Sequence, residues 1–417
     1  MLPGKPYRFS DRHIFPIIVA ALIGLLVSGA ILLLSFSVRE FFELIETNIL
    51  SDIHISLIIL ILIISGIIGS FIVVKLSPTS EGPGLHVAVK EFHKKEEKTP
   101  SKNIFFKFLA TFVNVGSGSS MGLVSPSSLI GFVIGEKTGE SLHIDRDMVR
   151  TLSLCGLAAA ISTLLETPFG AAVFAVEVVY TNKILYKRFF LSLVSSSTAY
   201  LMSRALFVNK PILSIGSGIP GYNVTSLSLI VLIALIVTLL NILFIKFYQE
   251  IHDRVKKVKL GIFDTFKPAL GMFSAGLLLF PLYILFIDLG YAGGYTKELI
   301  PLDIGIWELF LVSMTLFLST AIIAGTGNSG GLFMPIMVFG GLIGRVISMN
   351  ILESRPAIFI TAGMSAAIST TLNVPIASAI ICMELFGPQA ILPATIGSLS
   401  GYFLGDKFVI YHSINWK

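Results

Sequence analysis

The sequence predicts an all-α polytopic membrane protein made of two repeated halves, and three observations carry that expectation. Of 417 residues, 54% are hydrophobic and 13% charged, with a mean hydropathy of +0.86, against roughly 25% charged residues in a soluble chain. One pattern is written twice. GSGSSMGLVSP at Gly116–Pro126 returns as GTGNSGGLFMP at Gly325–Pro335, and GLAAAISTLLETPFGAAVFAVE at Gly156–Glu177 returns as GMSAAISTTLNVPIASAIICME at Gly363–Glu384. Finally, each copy sets a glycine-rich break inside membrane-type sequence, which points to a transport site built from interrupted helices.

Composition excludes several function classes. The net charge of +5 sits in short hydrophilic segments, so it reads as topology and not as a nucleic-acid footprint. Cys155 and Cys382 lie in apolar runs, where packing is the ordinary role. Residues 1–12 are polar and basic, but the apolar run after them is too long for a cleaved signal segment, so the first helix is expected to remain.

Phe15–Phe36 and Ile53–Leu76 read as spanning helices at about 20 residues each. Lys5, Arg8 and Arg12 place the N-terminus in the cytoplasm. The polar stretch that follows, with Lys90, Lys94, Lys95, Lys98 and Lys102, is expected back on that side, and the lysine run through Lys107 reads as a solvated face. Phe105–Val115, Ser127–Ile134, Met148–Leu165 and Pro168–Tyr180 read as half-length helices. Such pieces meet at Gly and Pro breaks and must be buried in protein or line an aqueous path, because lipid leaves their end groups without partners.

Phe189–Phe207 and Leu227–Phe247 are longer. Lys246, Arg254, Lys256, Lys257 and Lys259 then suggest a basic cytoplasmic loop. Pro268–Leu289 and Ile306–Ala324 open the second scheme, followed by Pro335–Ile347, Ala357–Thr371, Pro375–Phe386 and Ala390–Leu404. The expected organisation is a cytoplasmic N-terminus over 1–14, a first membrane half over 15–207 and an extramembrane connection over 208–226. A second membrane half over 227–404 and a C-terminal segment over 405–417 complete it. The repeat alone leaves open whether the halves are parallel or inverted.

The breaks carry the chemistry. A helix N-terminus leaves about four N–H groups without intrahelical partners and about half a positive charge, which makes it a ready anion site. GLVSP and GLFMP each put a glycine-permitted turn before a proline suited to a first helical turn. Two such ends at one locus would hold a dehydrated anion without a full charge to trap it. Taken singly, these glycines fit close helix packing as well as a site; their duplication favours a site.

With GLVSP, GLFMP, KPALG at Lys267–Gly271, SEGPGLH at Ser80–His86 and IYHSI near the end, the chain resembles the CLC family of chloride channels and proton/chloride exchangers. GLVSP is similar to that family's GREGP, GLFMP to its GxFxP, and GPGLH to its GSGIP. A literal GSGIP at Gly216–Pro220 is a decoy, because the family's motif precedes its GREGP. The resemblance implies a CLC-like inverted repeat of many tilted and half-length helices, about eighteen in all, and a homodimer with one pore per subunit. It implies small anions, chloride first, as partners within the lipid bilayer, chloride as bound substrate and no other cofactor. It also implies a prokaryotic cell membrane with both termini cytoplasmic.

Carried over by position, the resemblance implies that backbone N–H groups of Val124, Ser125, Leu332 and Phe333 contact the anion, with Tyr411 and the Pro83–Gly84 segment. Pro83 stands where the family has a serine; similar proline-bearing members are associated with nitrate preference, so weaker chloride selectivity is expected. Val124 stands where the family's gating glutamate lies. Val178 stands where its inner proton-transfer glutamate lies, beside Glu177. A proton path needs titratable groups at both ends, so the reading is a passive anion channel or uniporter.

The alternatives are a proton-coupled exchanger with its path moved to Glu177, and a membrane enzyme using Ser119 or Ser120. For Glu177 and its repeat partner Glu384, a shared role in hydrogen-bonding a neighbouring helix end is the favoured reading. No histidine falls mid-helix near the serines to serve as base, and no βαβ pattern surrounds GSGSSMG to make it a dinucleotide loop.

Overall fold

The computed structural model describes residues 11–47, 57–93, 102–179, 186–206, 222–259, 261–285, 305–349, 356–408 and 410. Among these the chain is helical throughout, with one isolated backbone bridge and no strand. The first half runs α1 Asp11–Ile45, α2 Leu57–Phe71, α3 Leu85–His93, α4 Lys102–Gly116, α5 Val124–Ser141, α6 Arg146–Leu165, α7 Pro168–Glu177 and α8 Tyr186–Leu206. The second runs α9 Val224–Lys257, α10 Lys267–Leu285, α11 Ile306–Gly325, α12 Phe333–Met349, α13 Pro356–Leu372, α14 Pro375–Phe386 and α15 Ile391–Gly405.

The duplication is visible in packing. In the first half α5 packs on α6, α6 on α8 and α7 on α8; in the second α12 packs on α13, α13 on α15 and α14 on α15. The same backbone device makes the same crossing in both. A Cβ on Gly131 would lie 2.2 Å from the Gly156 carbonyl oxygen, and one on Gly340 2.4 Å from that of Gly363. Small residues thus let the helix backbones touch.

The turns repeat as well. Glu166 and Asn373 both adopt left-handed backbone, φ 58° and 56°, two residues before the prolines that open α7 and α14. The sequence ETP and NVP therefore make one corner: the left-handed residue ends one helix, and proline with its fixed φ starts the next.

α7 and α14 pack side by side and run antiparallel, because each ends on a glutamate that caps the other's start. Glu177 accepts from the N–H groups of Ile376 and Ala377 at 2.9 and 2.7 Å. Glu384 accepts from those of Phe169 and Gly170 at 3.0 and 2.7 Å. Equivalent helices running in opposite directions make the halves inverted. The helix-capping role expected for the two glutamates is the one observed.

Several expected boundaries shift. The segment read as Ser127–Ile134 is the middle of an 18-residue helix that starts at Val124, and Met148–Leu165 belongs to a 20-residue helix long enough to cross. Asp145 supplies the signal for the latter start, its carboxylate accepting from Met148 N–H at 3.0 Å. α9 is 34 residues long and runs on to Lys257, so the basic loop is mostly helix. The Glu250–Arg254 pair at 2.5 Å, acid before base at four-residue spacing, supports that last stretch. Both cysteines are buried and free.

Candidate functional site

The two glycine-rich breaks meet in the buried interior. Gly118 and Gly327 turn the chain at φ 92° and 93°, a conformation open to glycine and strained for other residues. Four residues later Gly122 and Gly331 pair across the break, the N–H of each donating to the carbonyl of the other at 2.9 and 2.6 Å. α5 then starts at Val124 and α12 at Phe333, so two helix N-termini begin within two residues of one bridge.

The surrounding polar contacts cross between the halves. Thr320 on α11 donates to Ser120 Oγ at 3.0 Å, and Thr111 on α4 lies 3.2 Å from Ser329 Oγ. These are the same pair of positions in the two copies. Ser319 also donates to Ser120 Oγ at 3.0 Å. Ser120 is thus held in a hydroxyl cluster, with no imidazole in contact among the described residues, an arrangement that positions backbone. Among the described residues Ser119 Oγ is buried without a partner.

Of the residues expected at the anion locus, the structure brings Val124, Ser125, Leu332 and Phe333 together. All four are buried, at 2%, 0%, 1% and 2% exposure, and Phe174 of α7 packs edge-on to Phe333. Phe333 N–H points at Ser125 Oγ, 3.4 Å away, so one of the expected donors already has a partner. The side chain at the start of α5 is valine, and among the described residues the locus presents hydroxyl, amide and hydrocarbon groups. Val178 follows α7 and is half-buried, while the carbonyl of Val179 lies 3.0 Å from His93 Nε2.

Pro83 and Gly84 stand apart from the bridge, on a turn between a short 3-10 segment, Pro78–Ser80, and α3. Gly82 and Gly84 flank the proline with φ of 66° and 92°. Lys107 of α4 fixes this turn: its fully buried Nζ donates to the carbonyls of Ser80 at 3.0 Å and Gly82 at 2.6 Å. The expectation that the lysine run through Lys107 is a solvated face fails at this residue. The missed signal was its setting, one cation inside IFFKFLATF, where an ionisable group is expensive and defaults to function.

The turn borders a cavity of about 130 Å³. Pro83 and His86 line one side, Tyr248, His252 and Lys256 of α9 another, and Gly327 of the second break a third. Nothing in the local sequence links these positions, which lie up to about 250 residues apart. Tyr411 and the decoy motif at Gly216–Pro220 lie outside the described residues. The preceding Ile410 is buried and donates to the Thr371 carbonyl at 3.3 Å.

An inverted helical repeat whose broken helices meet at a buried polar locus is the architecture of a membrane transport protein. The chain belongs to the voltage gated chloride channel family, whose sequence profile matches residues 63–406. It is 24% identical over 337 residues to an uncharacterized protein of Methanocaldococcus jannaschii, covering 81% of this chain and 82% of that one. It is 23% identical over 339 residues to a chloride/fluoride channel protein of Pseudomonas syringae pv. tomato, covering 79% and 72%. A H(+)/Cl(-) exchange transporter of Citrobacter koseri is 24% identical over 373 residues, with 82% and 74% covered.

Two solved structures share the fold. A slow cyanobacterial Cl-/H+ antiporter superposes with a TM-score of 0.84 at 17% identity, covering 96% of each chain. A CLC-type fluoride/proton antiporter superposes with a TM-score of 0.82 at 20% identity, covering 98% and 99%. Relatives include both channels and exchangers, so membership sets the class, a membrane channel or transporter for anions, and leaves the coupling to be argued from this chain's residues.

Proposed function

We propose that this protein is a passive, proton-independent anion pathway, a channel or uniporter for chloride that also admits nitrate. The observation that carries the proposal is Val124. It is the first residue of α5, buried at 2% exposure beside the bridge that joins the two breaks, and it offers no group to bind a proton or to swing into the anion's place. Coupled exchange needs a titratable group on the anion path.

Glu177, the carboxylate nearest the inner end of α7, has both oxygens engaged by backbone N–H groups of α14, which supports a structural role for it. Val124, Ser125 and Leu332 backbone would hold the anion through helix N-termini, with Phe333 N–H shared with Ser125. Pro83 and Gly84 would form the entrance, and the hydroxyl of Tyr411 would complete the site from the cytoplasmic side. We further propose a homodimer in a prokaryotic cell membrane with both termini cytoplasmic. The basic end of α9 supports that orientation, and Phe169, Phe190, Ile376 and Phe403, exposed apolar residues on the neighbouring helices α7, α8, α14 and α15, support a second copy docking there.

The test is the reversal potential of purified protein in chloride-loaded liposomes. Under a chloride gradient it should sit at the chloride equilibrium value and stay there when a proton gradient is added. A reversal potential that moves with pH, with protons carried in fixed ratio, overturns the reading.

A further inference from the structure

The outward face of α9 changes character along its length. Leu239, Leu243, Lys246, Glu250, Arg254 and Lys257 follow one another at spacings of three and four, so they share one stripe of the helix, and all six are exposed. The first two are hydrocarbon, at 57% and 56% exposure; the last four are charged. We propose that this stripe binds an anionic phospholipid, its acyl chain along Leu239 and Leu243 and its phosphate at Lys246, with Arg254 and Lys257 beyond. Such a partner goes beyond the passive anion reading and does not depend on it.

Lys246 is the centre of the site. Its Nζ stands 4.9 Å from the centroid of the Phe408 ring, a cation–π contact that holds the amine where α9 meets the 3-10 turn Asp406–Phe408. Over residues 246–267 six basic side chains stand against three acidic ones. Among the described residues two of those bases are paired, Arg254 with Glu250 at 2.5 Å and Lys267 with Asp264 at 2.8 Å. Lys246, Lys256, Lys257 and Lys259 have no carboxylate within ion-pair distance, and Asp253 and Asp406 are the other acids at this end. Lys267 also donates to the Val258 carbonyl. That bond folds the chain back on the end of α9 and keeps Lys259 there. A cluster of four or more cations immediately beyond a spanning helix attracts anionic headgroups, each cation contributing about fivefold in affinity.

The depth of the cations selects a lipid over a soluble polyanion. α9 has 34 residues, about 50 Å of helix, against a hydrocarbon core of about 30 Å. About twenty residues from Val224 fill that core and end near Leu243, which puts Lys246 among the phosphates. One turn separates Leu243 from Lys246, so hydrocarbon passes into charge without a gap, and the lysine stem itself covers apolar surface. On another face of the same turns Tyr248 and His252 line the entrance cavity. A bound lipid therefore braces the outer side of a wall that shapes the anion's entrance.

The experiment titrates purified full-length protein in neutral detergent with phosphatidylglycerol or phosphatidylcholine and reads bound lipid by native mass spectrometry. Wild type should bind phosphatidylglycerol at least fivefold more tightly, and the preference should shrink as salt is raised, because exposed charges are screened. Lys246→Gln with Lys257→Gln should bring the two lipids near parity. Lys187→Gln, at an exposed lysine in the first turn of α8, should keep the wild-type preference. Glycerol phosphate, which has the headgroup chemistry and no chains, should leave the lipid in place at millimolar concentration. An unchanged melting transition in neutral detergent shows that each variant is folded. Equal affinity for the two lipids in wild type, or a double variant that keeps the preference, overturns the inference. So does a Lys187→Gln variant that loses it as fully, which would make the effect one of overall charge. Displacement by glycerol phosphate would make the stripe a site for soluble anions and overturn the lipid assignment. Each outcome leaves the reversal potential untouched, so the passive pathway stands or falls separately.

Discussion

Gly122 and Gly331 exchange two backbone hydrogen bonds, at 2.9 and 2.6 Å, and so hold the starts of α5 and α12 against each other. The bridge is as short as backbone permits. A Cβ on Gly331 would come within 2.7 Å of the Gly122 carbonyl oxygen and 2.9 Å of Pro126 Cδ. Gly331→Ala should therefore splay the two helix ends, lowering stability by about 1–3 kcal/mol and anion flux more steeply than stability. Thermal unfolding in detergent and liposome efflux would read the two effects. A variant with normal flux would show that the bridge is not part of the anion locus.

Glu177 separates a structural carboxylate from a proton carrier. Glu177→Ala leaves the N–H groups of Ile376 and Ala377 without their charged acceptor, a loss of about 2–4 kcal/mol. Glu177→Gln keeps one acceptor oxygen and should lose roughly half as much. In neither variant should the reversal potential change its response to pH. A change confined to that response, with stability intact, would make Glu177 the displaced proton group.

Much of this was legible in the sequence because a duplication tests itself. The bounds expected for Pro375–Phe386 are those observed, and the equivalence of Glu177 with Glu384 pointed to a shared role at a neighbouring helix end. What failed were features set by tertiary contact. Met148–Leu165 was read as too short to cross, yet the helix starts at Arg146, capped by Asp145, and runs 20 residues. α9 runs beyond its apolar stretch because Tyr248 and His252 still face protein. Lys107 was swept into a lysine-rich run although its own neighbours are apolar.

Lys107 gives a third prediction. Lys107→Met keeps the length of the side chain and removes the donor, leaving the Ser80 and Gly82 carbonyls without it and the entrance turn loosened. Apparent chloride affinity should fall about tenfold, the loss of roughly 1.4 kcal/mol expected when buried carbonyls lose a hydrogen-bond donor. Lys107→Arg should not restore it, because Lys107 Cε already lies 3.0 Å from a Cβ position on Gly84 and a planar guanidinium needs more room. Full rescue by arginine would mean that charge alone, and not the fit to the turn, is what matters.

Val124→Glu tests the alignment of the break with the anion path. A carboxylate at the first position of α5 would be ionised at high pH, drawn to the same helix N-termini as the anion, and would compete with it. Protonation removes that competition, so flux should be suppressed at pH 8 and recover at pH 4. Equal flux at the two values would place the anion elsewhere.

Pro83→Ser addresses selectivity. Pro83 has neither N–H nor hydroxyl, and it sits on the cavity wall between two glycines in left-handed backbone. Serine would add two donors where an entering anion loses water, and chloride, the more strongly hydrated ion, gains more from such donors than nitrate. The chloride-to-nitrate permeability ratio, read from the reversal potential with one ion on each side, should rise severalfold. The cost is the rigidity of proline, about 0.4–1 kcal/mol of stability, small enough for the turn to persist under the Lys107 clamp. An unchanged ratio in a well-folded variant would mean that the Gly82–Gly84 turn shapes the entrance without choosing the ion, and would move the search for selectivity inward to Ser125 and Phe333.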